Sequence, residues 1–97
     1  MKTMYVYILL CSDGTYYVGV TNNLERRYEQ HKEGINPECY TFSRRPLELM
    51  FYELFNSPIK AIEFEKKIKK WSKLKKEALI SKNYDLLPEL SKKKFKK

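Results

Sequence analysis

Glycine is scarce in this chain, with three in 97 residues. Phosphate-binding loops and dinucleotide-binding turns need several closely spaced glycines, because their backbone turns tightly and approaches the phosphates. The sequence has no such cluster and no internal repeat. Enzymes that depend on a nucleotide cofactor are therefore disfavoured.

Cysteine is rarer still, since Cys11 and Cys39 are the two in the sequence. Two cysteines make a weak disulfide framework and cannot complete a four-thiolate zinc site. We expect both to be reduced thiols that are incidental to the structure.

Long hydrophobic runs are also missing, and no apolar segment approaches the ~20 residues that span a bilayer. The first three residues lead directly into a strand-like segment without the pattern of a signal peptide. We expect a cytoplasmic monomer with no membrane partner.

What the chain has is charge, and the charge is unevenly placed. Residues 60–97 hold 14 lysines against five acidic residues, a net +9, whereas residues 1–59 hold six basic and seven acidic residues, a net −1. With 42% hydrophobic residues, the composition is that of one globular domain. We expect that domain to cover residues 1–84 and a lysine-rich, partly disordered tail to cover residues 85–97. The asymmetry favours a polyanionic partner, although lysine-rich helices can also simply be solvated.

The apolar pattern alternates early in the chain and then takes helical spacing. Residues 4–11 and 16–20 have period two and flank a turn at 12–14, so they predict a β-hairpin with Tyr7 and Tyr17 on the same face. A third strand is predicted at 47–53. Capping residues and spacing predict helices from residue 24 to 32, from 58 to about 71 and from 72 to 81, with Gly34 ending the first and a loop at 35–45.

Candidate catalytic side chains follow the second strand. Gly19 is expected to let the chain turn, after which Asn23, Arg27 and His31 are spaced four residues apart and should share one helix face. A guanidinium suits bidentate phosphate binding, but Arg27 could also be an ordinary surface arginine, as we expect for Arg26. His31 could transfer protons or act as a cation at the helix C-terminus.

Tyr7 and Tyr17 are candidates for a general base or a phosphate-orienting pair. An ordinary tyrosine, with a pKa of ~10, is a poor base unless a metal or cation lowers that pKa. We assign packing or rim positions to five other tyrosines, namely Tyr5, Tyr16, Tyr28, Tyr40 and Tyr52. We assign a core position to Trp71.

Glu65 is the remaining candidate, because its spacing places it toward the apolar arc that Phe64 and Ile68 form. A buried carboxylate needs a cationic partner. The two interpretations are a bound divalent metal and a structural salt bridge to Arg27 or another base. Spacing alone favours the salt bridge.

These residues resemble the GIY-YIG nuclease superfamily, and most closely its small stand-alone bacterial proteins. Tyr5-Val6-Tyr7 stands at the GIY position and Tyr17-Val18-Gly19 at the YIG position, with Tyr5, Val6 and Val18 as departures. The pattern continues through Thr21, Asn23, Arg27, His31 and the segment ending at Glu65, and it includes Tyr40-Thr41 and Arg44-Arg45-Pro46. The family's late asparagine would correspond to Asn83.

The resemblance implies an α+β fold in which helices flank a small three-stranded antiparallel sheet. It also implies DNA hydrolysis with one divalent metal, Mg²⁺ or Mn²⁺, held by Glu65. Arg27 and Tyr17 would engage the phosphate, Tyr7 or a neighbour would activate water, and His31 would assist proton transfer. Supporting or nucleic-acid-binding positions would be Gly19, Thr21, Asn23, Arg44, Arg45, Lys69 and Lys70. The alternatives are a non-catalytic nucleic-acid-binding module and a protein-interaction adaptor.

Overall fold

The computed structural model of the chain describes residues 3–81. The predicted domain boundary at 84, the predicted tail and Asn83 lie outside the described residues. Within the described part, no helix is long and apolar enough to cross a membrane.

Three strands and three helices make up residues 3–81, which confirms the predicted α+β class. In chain order they are β1 (Met4–Leu10), β2 (Tyr16–Thr21), α1 (Leu24–Glu33), β3 (Glu48–Phe55), α2 (Pro58–Lys69) and α3 (Lys73–Ser81). Three predicted details were wrong: β3 extends past residue 53, α2 ends before residue 71, and a 3-10 turn interrupts the predicted loop at Phe42–Arg44.

The sheet is antiparallel with strand order β2-β1-β3, so β1 is the central strand. Tyr7 on β1 lies between Gly19 on β2 and Tyr52 on β3. A bulge shifts the β1–β3 register between Ile8 and Leu9. Because β1 has a neighbour on each side, its backbone and its residues 6–9 are buried.

Alternation along β1 sorts its side chains between two cores. Val6 and Ile8 face a cluster that α2 and α3 cover, and the cluster includes Val18, Phe51, Ala61, Phe64, Ile68, Ala78 and Leu79. Tyr7, Leu9 and Cys11 face a second cluster, against which Leu24 and Tyr28 of α1 pack. Helices therefore cover both faces of the sheet, as predicted. Trp71 packs against the first cluster, which confirms its predicted core position.

Local signals start and stop the helices where the capping rules predict. The Asn23 side chain accepts a hydrogen bond from the Arg26 backbone N–H, and Ser57 does the same for Lys60. Gly34 ends α1 at a φ of 68°, in the left-handed region that glycine adopts without penalty. The cap at Asn23 fixes where α1 leaves β2, and so where its buried face meets the sheet.

Candidate active site

Tyr7 is held against the backbone of the neighbouring strand. Its ring is buried and lies across Gly19, where a Cβ would overlap the Tyr7 hydroxyl and ring carbons. Gly19 lies inside β2, and the strand continues through Thr21. The expectation that Gly19 permits a turn was therefore wrong, because its missing side chain makes room for Tyr7.

His31 reaches the same place from the last turn of α1. Its Nε2 lies 3.0 Å from the Tyr7 hydroxyl oxygen and its Nδ1 lies 2.9 Å from Thr41 Oγ1. Burial, aided by the charge of Arg27, lowers the pKa of His31 below its ordinary value. The interpretation of His31 as a cation at the helix end is therefore disfavoured, since the neutral imidazole predominates near pH 7.

The Tyr7 hydroxyl is shifted in the opposite direction. Burial, followed by the proximity of Tyr17, raises the pKa of Tyr7, while the charge and a hydrogen bond of Arg27 oppose that rise. The pKa of Tyr17 is also raised, chiefly by burial. Both phenols and the imidazole are therefore neutral near pH 7, and any proton that moves among them starts from neutral groups.

Arg27 stands at the open side of these rings. It is exposed, and it acts electrostatically on Tyr7, Tyr17 and His31. A cleft of about 380 Å³ begins here, and it is lined by Tyr17, Arg27, Gln30, His31, Gly34, Ile35, Asn36, Cys39, Thr41 and Phe42. The cleft leads solvent to the guanidinium and the buried imidazole.

Tyr7 and Tyr17 share a face, which confirms the prediction from strand period, and their ring centroids are 6.4 Å apart. Tyr17 also contacts the His31 ring at 5.2 Å and stacks on Tyr40 at 6.1 Å with an interplanar angle of 18°. The Arg44 guanidinium covers the Tyr40 ring at 3.9 Å, donates to the Tyr40 carbonyl and pairs with Asp13 at 3.0 Å. Arg44 thus supports Tyr17 through Tyr40.

Glu65 enters from α2, on the opposite side of the sheet. Its side chain is 9% exposed, and its carboxylate pairs at 2.9 Å with Lys69, whose side chain is 58% exposed. The salt-bridge interpretation is therefore confirmed, and of its two named alternatives the partner is another base, Lys69, one helical turn away on α2. Both Glu65 and Lys69 act electrostatically on Tyr17, which places the carboxylate at the β2 edge of the site.

Asn23 does not join the cluster, so the predicted convergence of three side chains on one helix face was wrong for it. Its side chain is exposed and is used as the N-cap of α1. Thr21 is buried, and its Oγ1 accepts a hydrogen bond from the Asn23 backbone N–H at 3.1 Å. Both residues therefore set the entry to α1.

The other predicted supporting residues lie around the rim. Arg45 donates to the Phe42 carbonyl at 2.8 Å and its guanidinium covers the place where a Gly34 Cβ would stand. Lys70 is exposed at the C-terminal end of α2. Arg45 thus fixes the loop, while Lys70 presents a charge to solvent.

Thr41 and Cys39 were missed by the sequence reasoning as site residues. Thr41 is 1% exposed and contacts His31, and Cys39 Sγ lies 3.4 Å from Thr41 Oγ1. Cys39 is thus not incidental. No periodic pattern marks a loop residue as buried, and the only signal was that Tyr40-Thr41 belongs to the family resemblance.

Residues 3–81 contain no group of three or more His, Cys, Asp or Glu side chains that could hold a metal ion. The candidate ligand is the Glu65 carboxylate, a hard oxygen donor. Mg²⁺ prefers oxygen ligands and keeps several waters when substrate phosphates complete its shell. A single buried carboxylate, acting like Arg27 on Tyr17, fits a metal that binds together with a phosphodiester.

The sequence matches the family described as GIY-YIG catalytic domain over residues 3–78. It is 43% identical over 83 residues to a UPF0213 protein of Syntrophus aciditrophicus (strain SB), covering 86% of this chain and 95% of that protein. The solution NMR structure of UPF0213 protein BH0048 from Bacillus halodurans is similar, with a TM-score of 0.54, 39% identity and coverage of 81% and 83% of the two chains. The solution NMR structure of EF2693 from E. faecalis gives a TM-score of 0.58, 34% identity and coverage of 89% and 90%.

Proposed function

The chain belongs to the GIY-YIG family of catalytic domains, and we propose that it is a divalent-metal-dependent endonuclease that hydrolyses phosphodiester bonds in DNA. One observation carries the proposal. The Tyr7 hydroxyl is hydrogen-bonded to His31, and the exposed Arg27 acts on Tyr7 and Tyr17 at the β2 edge of the site. From α2, the buried carboxylate of Glu65 acts on Tyr17 at the same edge. Phosphodiester hydrolysis uses three groups of this kind: a proton acceptor, a cation that binds the anionic phosphate, and a hard metal ligand.

Arg27 binds the scissile phosphate in this proposal. Its guanidinium is exposed at the mouth of the cleft and can engage two non-bridging oxygens at once. Charge on those oxygens grows as water attacks the phosphorus. Arg27 therefore stabilises the transition state more than the ground state.

Tyr7 and His31 act together as the base. The attacking water gives a proton to the Tyr7 oxygen while the Tyr7 hydroxyl proton passes across the 3.0 Å bond to His31 Nε2. The water oxygen bonds to phosphorus and the P–O bond to the leaving oxygen breaks. The leaving oxygen takes a proton from solvent water and His31 later returns its proton to solvent, which yields a phosphate monoester and an alcohol. The raised pKa of Tyr7 makes a free phenolate unfavourable, so handing the proton to His31 avoids that species.

Glu65 would hold the divalent ion when the substrate is bound. The ion would supply Lewis acidity for the phosphate and charge neutralisation for the leaving oxygen. Lys69 would give up the carboxylate to the ion, and its ammonium could then pair with a phosphate of the substrate, because its side chain is 58% exposed. Tyr17, stacked on Tyr40, closes the site between Arg27 and Glu65.

The basic second half of the chain supports a nucleic-acid substrate. Lys69, Lys73 and Lys76 border two shallow grooves that adjoin Tyr16 and Tyr17. Each phosphate that a lysine neutralises releases condensed counterions, so these residues supply affinity without sequence preference. The lysines therefore bind the strand, while Arg27 and Glu65 act on the scissile bond.

The test is cleavage of labelled single-stranded, duplex and branched DNA, and of RNA of the same sequence, with Mg²⁺, Mn²⁺ or EDTA. The native chain and an Arg26→Ala control should cut DNA only with metal, and Arg27→Ala should lose activity by about 10²–10³-fold. Salt-sensitive binding without cleavage would replace the proposal with the binding module. Absence of both binding and cleavage would support the adaptor, and cleavage of RNA alone would contradict the DNA assignment.

A further inference from the structure

The hydrogen-bond chain that starts at Tyr7 does not stop at His31. It continues from His31 Nδ1 to Thr41 Oγ1 at 2.9 Å, and from Thr41 Oγ1 to Cys39 Sγ at 3.4 Å. Thr41 is 1% exposed, so the hydrogen-bond partners of its hydroxyl are protein groups and not bulk water. The direction in which the protons point along this chain decides what His31 can do.

Two directions are possible. In the first, Tyr7 donates to His31 Nε2, His31 Nδ1–H donates to Thr41, and Thr41 donates to the Cys39 sulfur. In the second, Cys39 donates to Thr41, Thr41 donates to Nδ1, and Nε2–H donates to Tyr7. Only the first leaves Nε2 able to take a proton from Tyr7.

The surroundings of Tyr7 favour the first direction. Tyr7 is 1% exposed, and among the described residues its hydroxyl has His31 Nε2 as its hydrogen-bond partner. If Nε2–H donated to the Tyr7 oxygen, the phenol proton would need another acceptor within a buried site. In the first direction the phenol proton has Nε2 as its acceptor, and each remaining proton has an acceptor of its own.

We propose that Thr41 is a positioning residue that holds His31 in the Nδ1–H tautomer, and so keeps Nε2 free to accept the proton of Tyr7. Histidine side chains in water favour the other tautomer, with the proton on Nε2. The Thr41 hydroxyl reverses that preference because it offers Nδ1–H a buried acceptor whose own proton is taken up by Cys39. The functional consequence rests on the proposed nuclease activity, whereas the tautomer does not.

The tautomer can be read directly, because His31 is the one histidine in the sequence. A ¹⁵N-labelled chain purified without a histidine tag should show, in long-range ¹H–¹⁵N spectra at pH 7.5, a protonated Nδ1 and an unprotonated Nε2. Thr41→Val replaces the hydroxyl with a methyl group of similar size, and should shift the population toward Nε2–H. Thr41→Ser keeps the hydroxyl and should retain the native tautomer.

Activity provides the second readout. The DNA cleavage rate constant should fall on the order of tenfold or more in Thr41→Val and recover in Thr41→Ser, with little change in KM. Protonated Nε2 in the native chain would overturn the proposal, and so would an unchanged tautomer in folded Thr41→Val. If Thr41→Val does not fold, the native chain and Thr41→Ser still decide the tautomer. A native Nδ1–H tautomer that shifts as expected in Thr41→Val, together with no cleavage of any substrate, would leave the role of Thr41 in place and reject the nuclease.

Discussion

The ring of Tyr7 occupies the space that a side chain at position 19 would need, since a Cβ on Gly19 would lie 2.5 Å from Tyr7 Cζ. The two residues are directly paired across β1 and β2, so neither can move without disturbing the sheet. This contact sets the depth of the Tyr7 hydroxyl and brings it within reach of His31. The glycine of the second motif is therefore explained by the tyrosine of the first.

Gly19→Ala should destabilise the fold by about 1–3 kcal/mol, because the added methyl group overpacks a buried ring. Urea denaturation measures the change in the free energy of unfolding. Gly19→Ala in a Tyr7→Leu background is the control, since the smaller side chain removes the ring. Equal penalties in the two backgrounds would contradict the assigned contact.

The rate of DNA cleavage should fall at acid pH because His31 becomes protonated. Its pKa lies below the ordinary 6.5 because burial and Arg27 disfavour the imidazolium, and only neutral His31 can accept a proton. The rate constant should therefore rise with pH and reach half of its plateau value below pH 6.5. A parallel NMR titration of His31 gives the pKa of the free protein, and a rate that keeps rising well above that pKa would contradict the role of this histidine.

The free energy of unfolding should also depend on His31, and like the cleavage rate it should fall at acid pH. The unfolded histidine titrates near 6.5 and the folded one lower, so the unfolded chain binds more protons between these two pKa values. This contribution is fully present above pH 6.5 and is lost as pH falls through the folded pKa. Urea denaturation of the native chain and of His31→Gln should diverge in this window alone, and parallel curves would count against the shift.

Arg44→Ala should cost more stability than Asp13→Ala. The Arg44–Asp13 pair is exposed and contributes little, and the other contacts of Asp13 are the hydrogen bonds it accepts from Thr15 in the same turn. Arg44 also stacks on the Tyr40 ring and donates to the Tyr40 carbonyl, which joins it to another segment of the site. Losing these contacts should loosen the Tyr40–Tyr17 stack and reduce cleavage severalfold. Thermal melts and cleavage rates of both variants provide the comparison, and equal effects would show that only the ion pair matters.

Lys69→Ala should lower the concentration of divalent metal that cleavage requires. The ammonium pairs with Glu65 at 2.9 Å, so a metal must displace it. Without that competitor, the metal concentration giving half-maximal cleavage should fall roughly two- to fivefold, in line with the energy of an exposed ion pair. Lys66→Ala, on the exposed side of α2, should leave that concentration unchanged. A higher metal requirement in Lys69→Ala would contradict competition at Glu65.

Sequence pattern was sufficient for the elements because each carried its own local signal. Alternation placed Tyr7 and Tyr17 on one face, and capping residues located both ends of α1. The capping signal was also correct for Asn23, and it conflicts with the assignment of Asn23 to the site, because a side chain that closes a helix end cannot also reach the site. Helical spacing placed Asn23 in line with His31, but the Asn23 side chain instead accepts a hydrogen bond from the Arg26 backbone N–H.

The partners of the site residues depended on tertiary contacts that spacing does not specify. Glu65 was correctly expected to be buried and to need a cation, and Lys69 at i+4 was the local candidate that the reasoning passed over. Thr41 lies outside the helices and strands, and it is buried where it contacts His31 of α1. The ring that makes Gly19 necessary lies twelve residues earlier in the chain, and only strand pairing joins the two.

The most direct test of the nuclease assignment is the single-turnover rate of DNA cleavage in Glu65→Gln against Glu63→Gln. Both substitutions remove one carboxylate from α2, but Glu63 is exposed, whereas Glu65 is buried at the β2 edge of the site. The account predicts that Glu63→Gln cuts at the native rate and that folded Glu65→Gln binds DNA but cuts at least about 10²-fold more slowly at any Mg²⁺ concentration. Equal rates in the two variants would contradict the central claim.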